Sequence, residues 1–251
     1  MNVLVCVKRV PLTGGKIVLT DDQQAISTRH LGFTISPHEE CGCEEAVRLI
    51  ERHGGSSTVL TLGPAEAEEQ LRDMMAIGID RGVHLISDGG EWDPQATASA
   101  IVDAIQAQPE PYDLLLFGNE SADAGNYQVA IRVAHRLGLP VVTGVKAIAI
   151  QDGSVRCEQE VPGGRDVYEV PMPAVVTVKE GINLPRYPSV PGRLRAKRKP
   201  LETSTPVRPE SRLEMVRLTL PPGSGKQAAV LGDGAGAAGA VVGVLRELGL
   251  V

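Results

Sequence analysis

Aromatic side chains are scarce in this sequence, at 3% of 251 residues. With so few rings, a buried core has to be aliphatic, built mainly from Val, Leu, Ile and Ala. An excess of positive charge is also missing, because the net charge is -6. That sign argues against nucleic acid as the main partner. Hydrophobic residues make up 42% and charged residues 22%, the balance of a globular protein.

Long apolar runs are missing as well. No stretch reaches the ~20 residues that a membrane-spanning helix needs. The first apolar run, residues 3–7, is too short for the core of a signal peptide and is followed by Lys8 and Arg9 instead of a cleavage site. We interpret it as the first buried strand and expect a protein of the cytoplasm or of another reducing compartment.

Cysteine is rare and shows no paired spacing. Among the four cysteines, Cys41 and Cys43 form a C-x-C, which without a second ligand pair is weak support for zinc. A place on the apolar face of a helix explains Cys43 better. We therefore predict no metal site.

Motifs of nucleotide-cleaving and hydrolytic enzymes are missing too. No G-x-G-x-x-G follows the first strand, and neither G-x-x-x-x-G-K-[ST] nor G-x-S-x-G occurs. The five histidines are scattered. We predict no catalytic residue.

The first half of the chain alternates short apolar runs with helical periodicity. Ser36, Pro37 and Glu39 form a strong helix start, with a cap, a proline at the first position and a capping box. Such alternation predicts an α/β fold with a doubly wound parallel sheet. Ligands bind such sheets at the carboxyl ends of the strands, here after Cys6, Leu62, Ser87 and Phe117.

The second half of the chain does not continue this alternation of strands and helices. Residues 155–161 and 166–170 flank Gly163-Gly164 and predict a β-hairpin. Residues 174–178 form a further buried strand, and residues 181–200 look irregular. We expect one domain over residues 1–200, and a linker with a C-terminal arm over residues 201–251.

The loop after the fourth apolar run, residues 118–129, combines small and polar residues and leads directly into a helix. A helix start offers unpaired N–H groups and a positive dipole end, which suit a phosphate. A solvated loop with a capping Asn or Asp explains the same residues about equally well.

Several segments, in order, resemble electron-transfer flavoprotein beta subunits. They include residues 3–11, residues 35–39 with 44–49, residues 62–65, residues 76–81, and residues 173–178 with 183–191. The similarity is colinear over roughly residues 3–200. It implies a Rossmann-like sheet of the adenine-nucleotide-binding type, with a recognition loop (residues 185–200) and an extended arm that packs on an alpha subunit.

The resemblance also implies cofactors. The alpha subunit of this family holds the redox-active FAD, and the beta subunit commonly binds a structural AMP. His38 falls where many relatives place an aromatic ring near the flavin. Carried over by position, the nucleotide cradle comprises Cys6, Ser36, Pro37, His38, Glu39, Leu62, Gly118, Asn119, Glu120, Ser121, Ala122, Asp123, Ala124, Gly125, Asn126, Tyr127, Gln128 and Val129.

The cradle departs from the common pattern, in which this loop has an acidic run and an Asn-Gln-Thr. Asp123 and Gln128 keep their places, but Val129 stands where relatives have threonine. A Gln-Val pair is similar to the electron-bifurcating branch, whose beta subunit binds a second FAD. AMP and a second FAD therefore both stay open.

The recognition loop is rich in basic residues. A solvated basic loop explains them too, whereas nucleic acid does not fit the missing aromatic platforms. By position, Val190 is the protruding apolar anchor that docks partner dehydrogenases, and basic neighbours would steer encounter. The predicted docking residues are Val190, Arg186, Arg193, Arg195, Lys197, Arg198 and Lys199.

The resemblance implies a redox shuttle subunit, an electron carrier and not a self-sufficient enzyme. It would pair with an alpha subunit, accept electrons from flavin dehydrogenases, and pass them to a quinone oxidoreductase or similar acceptor. Two alternatives stay open: a bifurcating NADH-linked flavoprotein, and a stand-alone adenine-nucleotide-binding protein. In the shuttle, the bound flavin and not a side chain carries out the redox chemistry.

Overall fold

The computed structural model describes residues 1–14, 17–211, 213, 215–222 and 228–251. The chain forms two compact units, Met1–Val216 and Arg217–Val251. The helices are α1 (Pro37–His53), α2 (Glu68–Ile77), α3 (Pro94–Gln106), α4 (Val129–Leu137), α5 (Val190–Ala196) and α6 (Ala238–Glu247), with 3-10 turns at Ala65–Ala67 and Gly234–Ala237. The strands are β1 (Asn2–Cys6), β2 (Val10–Pro11), β3 (Phe33–Thr34), β4 (Ser56–Gly63), β5 (Arg81–Ile86), β6 (Leu114–Gly118), β7 (Val141–Gln151), β8 (Ser154–Val161), β9 (Gly164–Pro171), β10 (Ala174–Val178) and β11 (Leu201–Ser204).

Nine strands form one sheet in the order β11-β5-β4-β1-β6-β10-β7-β8-β9. Every pairing from β11 to β7 is parallel, and β7-β8 and β8-β9 are antiparallel. The predicted hairpin is thus confirmed as β8 and β9. β10 returns from the hairpin and enters between β6 and β7, which makes it a central strand.

The sheet is covered on both faces, and β1 shows how. Val3 and Val5 belong to one hydrophobic cluster together with residues of α1 and α2. Leu4 and Cys6 point to the other face and join a second cluster with residues of α3 and α4. Successive strand side chains alternate between faces, so a run apolar at every position has to be buried on both. The predicted doubly wound sheet is confirmed.

The start of α1 follows the predicted capping pattern. Ser36 is the N-cap and Pro37 occupies the first helical position. The N–H of Ser36 donates to Oε2 of Glu39 at 3.1 Å. This arrangement places the first turn of α1 at the carboxyl ends of the central strands, where ligands of such sheets bind.

The expectation of an irregular segment over residues 181–200 was wrong in part. Val190–Ala196 forms α5, because the side chain of Ser189 accepts from the N–H of Gly192 and a proline lies in the first turn. Cap and proline together are a helix-start signal. Beyond it, Leu201–Ser204 forms β11 and pairs in parallel with β5.

The C-terminal unit contains a 3-10 turn, Gly234–Ala237, followed by α6. Neither element buries any of its residues. Among the helices that the structure describes, none is long and apolar enough to cross a membrane.

A buried ion cluster ties the segment after β10 to α1. Glu44 has a side chain only 2% exposed. Its carboxylate accepts from Nε of Arg48 at 2.8 Å and from Nε of Arg186 at 2.9 Å. Arg186 also donates to Glu51 at 2.7 Å through Nη1. Because the two arginines share one buried carboxylate, Glu44 fixes where the recognition loop leaves the domain.

Glu44→Gln should therefore destabilise the protein. The amide keeps the size of the side chain but leaves two guanidinium groups without their shared counter-charge. Since both arginines are partly exposed, we expect a loss of about 2 kcal/mol, below the usual cost of breaking a fully buried pair. Chemical denaturation measures the free energy of unfolding.

The matched control is Glu51→Gln, which removes a carboxylate bound by the same Arg186 but 56% exposed. Exposed pairs contribute little, so its effect should stay within about 0.5 kcal/mol. Equal losses for the two variants would contradict the anchoring role of Glu44.

Candidate functional site

A cleft of about 460 Å³ lies at the carboxyl edge of the parallel strands. The loop after β6 forms one wall, and the first turn of α1 forms another. Its lining residues are Pro37, His38, Glu120, Ser121, Ala122, Asp123, Ala124, Gly125 and Glu180. Eight of these belong to the predicted cradle. The structure thus brings together two segments that lie some eighty positions apart in the chain.

Glu180 was not predicted. It follows β10, which pairs with β6 and so ends at the same edge of the sheet. The buried run of residues 174–178 predicts the strand that Glu180 follows, but the sequence does not show which strand it pairs with. Without knowing that β10 lies beside β6, the sequence could not place Glu180 in the cleft.

Other predicted cradle residues do not line the cleft. Cys6 and Glu39 are buried, and burial raises the pKa of the Cys6 thiol, with the charge of Glu39 adding to the effect. Asn119 is turned towards β10, where its Oδ1 accepts from Oγ1 of Thr177 at 2.8 Å. Leu62, at the end of β4, and residues 126–129 also lie outside the lining.

Glu39 lies directly beneath the loop after β6. A Cβ atom on Gly118 would stand 2.6 Å from Cγ of Glu39, so only glycine permits this approach. Burial raises the pKa of Glu39 to about 8, against the hydrogen bonds from the backbone of Lys8 and Ser36. The first turn of α1 therefore carries a carboxyl group that is neutral over part of the physiological range.

Lys8 was missed by the sequence reasoning and joins two loops. Its Nζ lies 2.8 Å from Oδ2 of Asp123 and 2.8 Å from Oε1 of Glu91. Burial alone would raise the pKa of Asp123, but the charge of Lys8 and hydrogen bonds from Lys8, Ser121 and Ala124 outweigh it and leave the pKa lowered. The negative charge of Asp123 in the cleft is thus matched by a neighbouring cation.

His38 faces the loop after β6. Its Nε2 lies 3.5 Å from Oε1 of Glu120. Its Nδ1 is buried and has no hydrogen-bond partner among the described residues. Since a buried polar nitrogen normally has a partner, this atom suits a group supplied by a ligand.

The loop after β6 is held by its own polar groups. The N–H of Ala122 donates to Oγ of Ser36 at 2.9 Å, and the N–H of Gly125 donates to the carbonyl of Ser121 at 3.0 Å. These bonds use the serine that starts α1 and shape the loop around the cleft. Gly125 has φ +55°, a left-handed conformation that favours glycine.

The start of α4 is left open. Gln128 is its N-cap but makes no side-chain cap. Instead, Oε1 of Gln128 accepts from Nε and Nη2 of Arg132 at 3.2 and 2.9 Å. The first N–H groups of a helix have no intrahelical partner, so an uncapped start is suited to an anion.

Several groups in and next to the cleft suit the adenine nucleotide that the sequence resemblance implies. An uncapped helix start follows the loop and suits a phosphate, small residues allow the loop backbone to approach a ligand, and Nδ1 of His38 lacks a partner. The carboxylate of Asp123, already paired with Lys8, is a suitable acceptor for a ribose hydroxyl. These features serve AMP and the adenylate half of FAD equally.

The predicted docking residues lie on and around α5. Val190 is exposed to 73%, as a protruding anchor requires. Three of the six cations are engaged within the chain: Arg186 with Glu44 and Glu51, Arg193 with Asp73, and Lys199 with backbone carbonyls. The remaining three, Arg195, Lys197 and Arg198, are exposed and make no side-chain bond within the described part of the chain.

A protein-family comparison matches residues 25–208 to the electron transfer flavoprotein domain. The matched region contains α1, the loop after β6 and the recognition loop. It therefore covers all nine residues that line the cleft, whereas Lys8, the partner of Asp123, lies outside it.

Similar proteins are named electron transfer flavoprotein subunit beta. One from Syntrophomonas wolfei is 37% identical over 223 residues, which is 88% of this chain and 86% of that protein. One from Bacillus subtilis is 37% identical over 203 residues, or 80% and 78% of the two chains. One from Bradyrhizobium diazoefficiens is 32% identical over 230 residues, or 89% and 90%.

Glu39→Gln should change how stability depends on pH. In the unfolded chain Glu39 releases its proton near its usual pKa, whereas the folded protein retains the proton up to about pH 8. The free energy of unfolding therefore falls as pH rises through this window and is level above it. The amide does not titrate, so the variant should gain on the order of 4 kcal/mol over the wild type between pH 5 and pH 8.

Denaturation at a series of pH values measures this difference. The control is Glu66→Gln, because Glu66 is exposed and the change also removes one negative charge. If both variants follow the wild-type pH profile, Glu39 does not carry the buried proton.

Proposed function

The chain belongs to the electron transfer flavoprotein family, and we propose that it is the beta subunit of a heterodimer that carries electrons from flavin dehydrogenases to a downstream acceptor. The observation that carries the proposal is the loop after β6, which lines the cleft and leads into the uncapped start of α4, in a chain of this family. A quinone oxidoreductase or a similar protein is the proposed acceptor.

We assign two cofactors to the heterodimer. FAD, held mainly by the alpha subunit, supplies the redox chemistry, and a structural AMP occupies the cleft of this subunit. The open N–H groups of α4 would hold the phosphate, and Asp123 would orient the ribose. Position 129 is the first residue of α4, so its backbone can bind phosphate although Val129 lacks a hydroxyl group.

A second FAD in the cleft is the main rival to AMP. Val129 in place of threonine favours it, and it would make the heterodimer an electron-bifurcating, NADH-linked flavoprotein. The adenylate half of either ligand would use the same contacts. The nucleotide content of the purified heterodimer separates the two.

We further propose that the C-terminal arm packs on the alpha subunit. Its helix α6 buries none of its residues, and Val241, Val244 and Leu248 are exposed apolar side chains at helical spacing. A covering surface on a partner would bury them.

The four cysteines are free thiols in the structure, which supports our proposal of a reducing compartment such as the cytoplasm.

The proposal is tested by co-expression with the alpha subunit, purification, denaturation and counting of released nucleotides. One FAD and one AMP per heterodimer supports the shuttle. Two FAD and no AMP supports the bifurcating flavoprotein. The assignment is overturned if the chain stays monomeric when mixed with its alpha partner and the mixture retains no bound flavin.

Gly125→Val should reduce the nucleotide content of the heterodimer. A β-branched residue is poorly tolerated at φ +55°, and the strain of about 1–3 kcal/mol would be relieved by reshaping the loop that lines the cleft. Bound ligand stabilises the native state by linkage, so the melting temperature should fall as well. Released nucleotide is quantified after denaturation.

Gly153→Val is the matched control. Gly153 has φ +82° in the turn between β7 and β8, and an added Cβ would also meet open space there. Comparable strain at that turn should leave the nucleotide content unchanged. An undiminished content in Gly125→Val would show that the loop after β6 is not the cradle.

Val190→Ala should slow electron transfer from a reduced flavin dehydrogenase while bound flavin stays unchanged. Loss of part of an apolar anchor is expected to weaken docking by about 1 kcal/mol. Stopped-flow reduction of the heterodimer at several dehydrogenase concentrations measures it. Val207→Ala, at an exposed valine outside the recognition loop, should leave transfer unaltered; the same kinetics for both variants would remove Val190 from docking.

A further inference from the structure

α5 is fastened to α2 by two side chains, Arg72 of α2 and Lys199 of the segment that follows α5. On one side, Arg72 of α2 donates through Nη1 to the carbonyls of Ala196 and Lys199 at 2.8 and 2.9 Å. These carbonyls lie at the end of α5, where helical partners run out. A cation at a helix carboxyl terminus both satisfies the carbonyls and complements the dipole.

In the opposite direction, Lys199 caps the carboxyl end of α2. Its Nζ donates to the carbonyls of Met75, Gly78 and Ile79 at 2.9, 3.1 and 2.6 Å. All three hydrogens of the ammonium group are thereby used. We call this reciprocal arrangement of Arg72 and Lys199 the capping clamp.

The capping clamp leaves Lys199 poorly placed to attract a partner. Burial lowers the pKa of Lys199, with the charge of Asp80 acting in the opposite direction. Lys197, two positions earlier, is exposed and makes no side-chain bond within the described ranges. Lys199 is therefore suited to hold the chain in place, whereas Lys197 is free to interact with a partner.

Two apolar side chains of α5 remain exposed beside the clamp. Val190 and Leu194 are exposed to 73% and 61% and stand four residues apart, so they share one helix face. They line a groove of about 510 Å³ whose other lining residues are all charged: Glu68, Glu69, Arg72, Asp73, Arg193 and Lys197. α2 therefore forms the opposite wall of the surface that α5 presents.

We propose that Arg72 and Lys199 are positioning residues of the docking site, which hold α5 in the conformation that presents Val190 and Leu194 to a flavin dehydrogenase. The inference rests on the proposed docking function. A seven-residue helix is marginal in water by itself. Without the clamp, α5 would have to be ordered during binding, and that ordering weakens affinity.

The test compares Lys199→Met with Lys197→Met in the heterodimer. Each variant exchanges a lysine for an apolar chain of similar length and removes one positive charge, but only the first opens the clamp. The measured quantities are the half-saturating concentration of reduced dehydrogenase and the limiting rate of flavin reduction, at low and high ionic strength.

Lys199→Met should raise the half-saturating concentration about fivefold at both ionic strengths, as expected for about 1 kcal/mol of lost pre-organisation, with the limiting rate unchanged. Lys197→Met should slow association about twofold at low salt, and screening should abolish that effect at high salt. Lys199→Arg keeps a cation with several donors and should restore most of the affinity.

A double mutant separates positioning from a general loss of structure. If Lys199 acts through the presentation of α5, the two substitutions remove the same interaction. The double variant Val190→Ala with Lys199→Met should then bind the dehydrogenase as tightly as whichever single variant has the lower affinity. Hydrogen exchange of the α5 amides should rise in Lys199→Met and not in Lys197→Met. That measurement reports the clamp without any dehydrogenase.

The outcomes are distinguishable. If Val190→Ala leaves transfer unaltered, the proposed docking function fails, and the inference fails with it. If Val190→Ala slows transfer but Lys199→Met does not, docking stands and the positioning role is overturned. A Lys199→Met effect that disappears at high salt, or that adds fully to Val190→Ala, makes Lys199 a steering charge and also overturns it.

Discussion

The close approach of α1 to the end of β6 is the constraint on which the candidate site depends. Gly118 leaves no room for a side chain above Glu39, so the first turn of α1 lies directly against the strand end. Ser36 can then hold the N–H of Ala122, and His38 can face Glu120. The walls of the cleft thus follow from one backbone contact, and the capping bond from Ser36 to Glu39 fixes the angle at which α1 begins.

The same helix also reaches the recognition loop. The first turn of α1 forms a wall of the cleft, and its middle turns carry Glu44, which binds Arg186 where the loop leaves the domain. Further along the recognition loop, α2 provides the support. Arg72 of α2 donates to the carbonyl of Ala196, and Lys199 of the loop donates to the carbonyl of Met75 in α2. Two helices on one face of the sheet therefore support both proposed tasks: α1 shapes the nucleotide cleft, and α1 with α2 supports the docking surface.

Several of the charges near the two sites are matched within the protein. Lys8 neutralises Asp123 in the cleft, and Glu39 is kept neutral by burial over part of the pH range. In the recognition loop, the engaged cations stiffen the segment, and Arg195, Lys197 and Arg198 stay available to a partner. A basic run in a sequence thus combines residues that hold the chain with residues that face solvent, and only their partners distinguish the two groups.

Local patterns in the sequence determined the fold class, the start of α1 and the loop after β6, because caps, apolar alternation and small residues act over a few positions. The tertiary structure decided what depends on contacts between distant segments. The insertion of β10 beside β6 brought Glu180 to the cleft, and the approach of loops after β1, β5 and β6 gave Lys8 its two carboxylates. Likewise, Lys199 and Lys197 are equivalent in the sequence and differ in the fold, because one meets the carbonyls at the end of α2 and the other meets solvent.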